Sequence, residues 1–245
     1  MGALKAIAVA AILFAGTVCK ADTVASFSSR TALAGNDTVN WLNVAPAGTT
    51  IPNNPFSFTS DDDTLSVTNL YASYNRFYFK TFQQSTGPAG GNWGGDFNSG
   101  DSVLFNGGGD ATTITFSTPV LAVGANIQSD LEGDDFAGDL NAYDVHGNLL
   151  GTATFSGYSG GGVGTAPFVG IRGLSGADIA SVTFVLTEAP FNATNAFGIN
   201  QLSLDIPATA TPLPRAVFGA PLCLLLPVVA GLRRRYIARQ AGSPE

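Results

Sequence analysis

Apolar and polar residues alternate in short runs along the middle of this chain. Residues 56–59 read Phe-Ser-Phe-Thr and residues 65–68 read Leu-Ser-Val-Thr, and each run puts its apolar side chains on one face of an extended strand. Residues 76–82 gather Phe77, Tyr78, Phe79 and Phe82 around Lys80, a density of aromatics that suits a strand with one face in a core. The clearest succession follows, with strands predicted at 101–105, 111–116, 120–127, 136–145, 149–155, 168–171, 179–186 and 197–206. Turn chemistry separates them: Asn106-Gly107-Gly108-Gly109-Asp110, Thr118-Pro119 and the hairpin signal His146-Gly147-Asn148. Weaker candidates lie at 23–28 and, around Trp41, at 39–44. About a dozen short strands without an amphipathic helix predict an all-β fold, a single β-sandwich of jelly-roll type.

Both ends of the chain depart from this rhythm. Lys5 precedes an apolar run at 6–18, and small residues flank Lys20, which is the layout of a signal peptide cut between Ala21 and Asp22. Cys19 offers a lipoprotein alternative, but Val18 is bulky where a lipobox wants a small residue. Near the other end, residues 216–232 form an apolar run at the lower limit of a membrane span, followed by Arg233, Arg234, Arg235 and Arg239. Arginines there would hold the tail 233–245 in the cytoplasm and place residues 22–206 outside. Residues 207–215 then form a linker.

Pro212-Leu213-Pro214, one hydrophobic helix and a terminal arginine cluster together resemble the PEP-CTERM sorting signal of bacterial envelope proteins, in a Pro-Leu-Pro variant. The resemblance implies an exosortase-type partner that processes the chain at this motif. The membrane would then hold the protein only transiently, through its C-terminal helix. A second resemblance covers residues 111–206. The successions Thr113-Ile114-Thr115-Phe116, Ala142-Tyr143-Asp144-Val145, Phe168-Val169-Gly170-Ile171 and Phe197-Gly198-Ile199-Asn200 are similar to a pattern in exported PEP-CTERM β-sandwich proteins. That pattern implies a fold like galactose-binding or carbohydrate-binding jelly rolls. It usually has Asp where this chain has Asn200, and an amide is a weaker cation ligand than a carboxylate.

Charge narrows the functions. Between residues 22 and 211 only Arg30, Arg76, Lys80 and Arg172 stand against seventeen Asp and Glu, a formal charge of −13 where the whole chain carries −7. Such a surface repels phosphate backbones and excludes nucleic acid as a partner. The two cysteines, Cys19 and Cys223, both lie outside this exported part, so it has neither a disulfide nor a thiol nucleophile.

The candidate chemistry is sparse. Asp130, Glu132, Asp134, Asp135 and Asp139 place five carboxylates within ten residues around Gly133, an oxygen-rich loop of the kind that calcium takes. The alternative for them is a solvated loop tip. Asp61, Asp62 and Asp63 form a second, smaller acidic tip. Residues 83–100 hold six glycines and Trp93 with no convincing strand, and Trp93 is either a stacking platform for a sugar ring or a cap on the core. Residues 159–164 read as a flexible glycine loop without phosphate-loop features. His146, the single histidine, sits in a predicted turn, and no nucleophile elbow or zinc pair is present. The expectation is a non-enzymatic envelope or extracellular-matrix protein with extracellular polysaccharide as candidate ligand. A secreted polysaccharide-active enzyme using Asp or Glu, and a structural surface component without ligand, are the alternatives.

Overall fold

A computed structural model describes residues 24–51, 55–60, 64–69, 79–84, 92–107, 111–188 and 196–208. The expected signal cleavage at Ala21 and Asp22 lies outside these residues. So do Asp61 to Asp63, the Pro212, Leu213, Pro214 motif, the apolar run 216–232 and Arg233, Arg234 and Arg235. Among the described residues no helix is long and apolar enough to cross a membrane.

Strands dominate. In chain order they are β1 (Val24–Phe27), β2 (Asp37–Val39), β3 (Thr50–Ile51), β4 (Phe56–Thr59), β5 (Thr64–Asn69), β6 (Phe79–Gln84), β7 (Asn92–Trp93) and β8 (Ser102–Asn106). There follow β9 (Thr112–Val120), β10 (Ala122–Ser129), β11 (Asp135–Tyr143), β12 (Leu149–Tyr158), β13 (Phe168–Gly173), β14 (Ile179–Glu188), β15 (Phe197–Ile199) and β16 (Leu202–Asp205). A single turn of helix, α1 (Arg30–Leu33), follows β1; the Ser29 side chain caps it by accepting from the Ala32 N–H at 3.2 Å.

Among the described residues these strands make two sheets, an all-β sandwich as the alternation predicts. One sheet has six strands in the order β12-β11-β14-β9-β5-β4. The other has ten, running β1-β13-β10-β15-β8-β6-β3, with β16 beside β10, β2 beside β16 and β7 beside β6. Strand β11 shows why the six-stranded sheet forms: Phe136, Gly138, Leu140 and Ala142 are buried while the residues between them stay at least partly in water. Ile114, Phe116, Val182, Phe184 and Leu186 extend that inner face. From the ten-stranded sheet Val123, Ala125 and Ile127 of β10 and Leu104 of β8 meet it. A smaller cluster of Phe97, Val103, Phe105, Ala166 and Ala196 covers the opposite face of β8, so this strand is buried on both sides.

Three expectations are corrected. Residues 39–44 are not a strand: after β2 the chain closes a 3₁₀ turn, Trp41–Asn43, capped by the Asn40 side chain. This turn drops Trp41 into the core with no exposed surface, and its indole N–H donates to the Asn200 carbonyl at 2.7 Å. Residues 197–206 are two strands rather than one, broken at Asn200 and Gln201. Thr118-Pro119 does not end a strand, because β9 runs through it. The β9–β14 register instead skips from Thr115↔Ser181 to Val120↔Ile179, leaving Pro119, which lacks an N–H, out of that ladder.

Close packing of β11 gives a direct test. A Cβ on Gly138 would strike the Val185 carbonyl oxygen and the Phe155 ring. Gly138→Ala is expected to lower unfolding free energy by about 2 kcal/mol through overpacking. Gly94→Ala, where a Cβ meets nothing within 4 Å, is expected to stay within about 0.5 kcal/mol. Urea unfolding of both variants checks the contrast, and equal midpoints would contradict the packing.

Candidate functional site

Alternation decides which residues face away from the inter-sheet core. On β10 Ile127 points inward, so Gln128 points outward, and Asp130 continues that outward series just past the strand. On β8 Leu104 is inward and Phe105 outward; on β6 Phe79 is inward and Phe82 outward. These outward residues line a cleft of about 290 Å³ on the outer face of the ten-stranded sheet. Phe82 and Phe105 form its floor, with ring centroids 5.9 Å apart in a T-shaped pair. The Lys80 ammonium lies 4.9 Å from the Phe82 ring centroid.

The cleft is also lined by Asp130 and Glu132 and by the glycines Gly94, Gly95 and Gly160. A buried carboxylate holds the backbone at Gly160. Asp96 is 1% exposed, and its side chain accepts from the N–H groups of Gly160 at 2.8 Å, Gly161 at 3.2 Å and Gly162 at 2.8 Å. Its carbonyl also accepts from the Gly164 and Ala166 N–H groups. Residues 159–164 are thus pinned, and the flexible loop expected there is corrected. Gln128 ties the base of the cleft together: its side-chain oxygen accepts from the Asp96 N–H at 2.8 Å and its amide donates to Ser159 Oγ at 2.9 Å. Ser159 Oγ donates in turn to the Ser129 carbonyl at 2.8 Å.

Partial desolvation at the cleft mouth raises the Asp130 carboxyl above its ordinary value. A carboxyl so shifted holds its proton longer in the fold than in the unfolded chain. The stability it contributes is present at low pH and is lost as pH rises through the folded value.

The five acidic residues named from the sequence do not form one ligand set. Asp130 and Glu132 line the cleft. The Asp134 carbonyl accepts from the Ser159 N–H, and Asp135 opens β11 opposite Tyr158. Asp135 lines a different depression with Glu188. Asp139 stands four residues further along β11, roughly 13 Å away at strand spacing. An extended strand carries its acids apart, whereas a calcium loop has to curl them inward. Among the described residues no three of His, Cys, Asp or Glu come together to hold a metal ion.

Trp93 is not in an unstructured loop but in β7, parallel to β6, and its side chain lies outside the described residues. An aromatic that sequence reasoning passed over is better placed. Tyr158 ends β12 with 48% of its surface exposed, and a Cβ on Gly160 would lie 3.7 Å from Tyr158 Cε1 and 3.4 Å from Glu132 Cγ. Tyr158 therefore stands beside Gly160 and Glu132, two residues that line the cleft, without lining it itself. The signal for it was its place at the end of an alternating strand, next to the glycine loop. His146 is exposed in its hairpin, where Asp144 accepts from the N–H groups of His146 and Asn148, both at 2.8 Å. The Asn148 side-chain amide adds a third bond to Asp144, and together these donors hold that carboxyl below its ordinary value.

Asn200 is 1% exposed and saturated with partners. Its side-chain oxygen accepts from the Asn126 N–H at 2.8 Å and from Arg30 at 3.0 Å, and its amide donates to Asp101 at 2.7 Å and to Asn126 Oδ1 at 3.2 Å. Arg30 also donates to the Gln201 carbonyl at 2.8 Å and to Ser203 Oγ. Burial pulls the guanidinium below its ordinary value while Asp101 opposes that pull.

No protein-family model matches this chain, and no curated protein matches it. Among solved structures, it is similar to a DUF4465 family protein from Bacteroides caccae, at 12% identity and a TM-score of 0.34, over 75% of this chain and 100% of that one. It is also similar to a glycoside hydrolase family 43 arabinoxylan arabinofuranohydrolase from Bacillus subtilis in complex with cellotetraose. That match has 12% identity and a TM-score of 0.30, over 61% of this chain and 40% of that one. A third is the enzymatically active domain of bacteriophage CBA120 tailspike protein 4, at 17% identity and a TM-score of 0.27, over 59% of this chain and 19% of that one. At these TM-scores the likenesses carry no argument about ligand or activity.

Proposed function

We propose that this chain is an exported cell-envelope or extracellular-matrix protein whose jelly-roll sandwich binds extracellular polysaccharide in the cleft over β6, β8 and β10. Its termini support export, through the signal-peptide layout before Asp22 and the sorting motif Pro212-Leu213-Pro214 ahead of an apolar run and arginines. The observation that carries the binding reading is the cleft itself. Its floor is aromatic, an exposed Tyr158 stands beside the lining residues Gly160 and Glu132, and the side formed by Ser159 and Gly160 is pre-formed because Asp96 and Gln128 hold it. A sugar offers an apolar ring face to an aromatic and hydroxyls to carboxylates and amides, and a wall already ordered costs little entropy on binding.

The test is a glycan array with the full chain in a zwitterionic detergent, read beside Tyr158→Ala. Binding that falls about tenfold in the variant is the expected result. An array without binding would remove this reading. Mass spectrometry of the protein from its native envelope checks the address, with an N-terminus at Asp22 expected and an acylated Cys19 as the contrary outcome. One observation favours a second reading. Asp130 combines a raised pKa with a neighbouring Glu132 in a cleft, the pairing that an acid-base hydrolysis of glycosides uses. Turnover of a labelled polysaccharide that is lost in Asp130→Asn would replace binding with catalysis.

A further inference from the structure

The polar groups of the cleft are unevenly engaged. Gln128 and Ser159 spend their side chains on each other, on the Asp96 N–H and on the Ser129 carbonyl, and the Asp96 carboxylate is taken up by the three glycine amides. Among the described residues the Asp130 and Glu132 carboxylates have neither a hydrogen-bond donor nor an ion-pair partner. The described residues that line the cleft include no Lys, Arg or His. Two acceptors are thus left at the mouth of a partly desolvated space, where an opposite charge is worth more than in open water. Two carboxylates fall well short of the six to eight oxygens that calcium takes. An organic cation needs no such shell, and an ammonium donates three hydrogen bonds from one atom.

We propose that the cleft selects glycans bearing a free amine, an amino sugar whose ammonium sits between Asp130 and Glu132 while its ring lies against the aromatic floor. The proposal rests on the polysaccharide-binding reading and narrows it to a ligand class. The Lys80 ammonium lies 4.9 Å from the centroid of one floor ring, Phe82, and the other floor ring is Phe105. Lys80 is also the basic group that such a ligand has to pass, and two carboxylates outweigh it. The formal charge of −13 on the exported part works in the same direction, drawing cationic chains in and turning uronate or sulfate chains away. The volume of about 290 Å³ lies at the small end of ligand sites and holds a sugar unit rather than a long segment.

The experiment compares three tetramers of opposite or no charge: β-1,4-linked glucosamine, the same chain fully N-acetylated, and a galacturonate tetramer. Each is titrated by calorimetry into the full chain at about pH 6, where an ordinary carboxylate is ionised. The glucosamine tetramer is expected to bind about tenfold tighter than its acetylated twin, and Asp130→Asn combined with Glu132→Gln is expected to erase that margin. If the double variant unfolds, Glu132→Gln alone serves, since Glu132 is exposed at the turn. Equal affinity for amine and acetamide would overturn the proposal and leave the cleft a neutral-glycan site. A preference for the uronate, or an amine preference that survives the double variant, would also overturn it. No binding of any tetramer would remove the polysaccharide reading together with it.

Discussion

Asp96→Ala is expected to lower the unfolding free energy by about 3–5 kcal/mol and to dismantle one wall of the cleft. The carboxylate is buried and accepts from three backbone N–H groups in succession, at Gly160, Gly161 and Gly162. Gly160 and Gly162 reach this arrangement through φ angles of 107° and 101°, a conformation that turns neighbouring N–H groups toward one anion and that side chains resist. Removing the anion leaves donors partly buried with no acceptor, and each such donor costs about 1–3 kcal/mol. Asp96→Asn separates charge from shape. Its single carbonyl oxygen satisfies part of the set while its NH₂ faces an N–H, so a loss of about 2 kcal/mol is expected. Hydrogen exchange at the three glycine amides gives the local readout, with protection falling in Ala more than in Asn. An Asp96→Ala protein within about 0.5 kcal/mol of the parent would show that the loop holds itself.

That clamp also marks the limit of what the residues reveal on their own. Strands read well wherever one face meets water. Strand β4 has its expected bounds of 56–59, and the alternation of β11 matches its burial. Reading fails where both faces are covered or where a partner sits far along the chain. Trp41 belongs to a run of strand-like residues, yet it folds into a 3₁₀ turn because its indole finds the Asn200 carbonyl 159 residues away. Asp96 lies in a glycine-rich stretch that carries no periodicity, and its acceptors are spoken for by amides 64 to 66 residues later. The site was half legible for the same reason. Asp130 and Glu132 stood out as acids, but local spacing suggested Asp134, Asp135 and Asp139 as companions. The groups that complete the cleft include Phe82, Phe105 and Gln128, from strands that only the fold brings together.

Asn200→Asp should cost about 3 kcal/mol at neutral pH and recover much of that as the solution is acidified. The segment 197–206 lies along β10 as two strands because Asn200 replaces a stretch of ladder with its own side chain. Strand β15 pairs Ile127–Ser129 numbering on one side of the break, and β16 pairs Ala122–Gly124 numbering on the other. Between them the Asn126 N–H donates to the Asn200 side-chain oxygen and the Asn126 carbonyl accepts from the Asn200 N–H at 3.0 Å. A carboxylate can replace that acceptor, and Arg30 would welcome it. What it cannot replace is the amide donor, which points at Asp101 at 2.7 Å and at Asn126 Oδ1 at 3.2 Å. Two acceptors would then face a third across hydrogen-bond distance, and ionising the new group beside Asp101 is unfavourable. Its folded pKa is therefore raised above the unfolded value. The variant's stability is fully present below the unfolded carboxylate pKa, where the protonated group donates as the amide did. It is lost as pH rises through the folded pKa. Asn200→Ala removes donor and acceptor together without adding a charge: it leaves the Asn126 N–H without its Asn200 acceptor and should cost about 3–4 kcal/mol with no recovery in acid relative to the parent. Urea unfolding of the three proteins across the acid range decides the point. An Asp variant whose deficit is constant with pH would show that Arg30, and not the Asn200 amide, governs this junction.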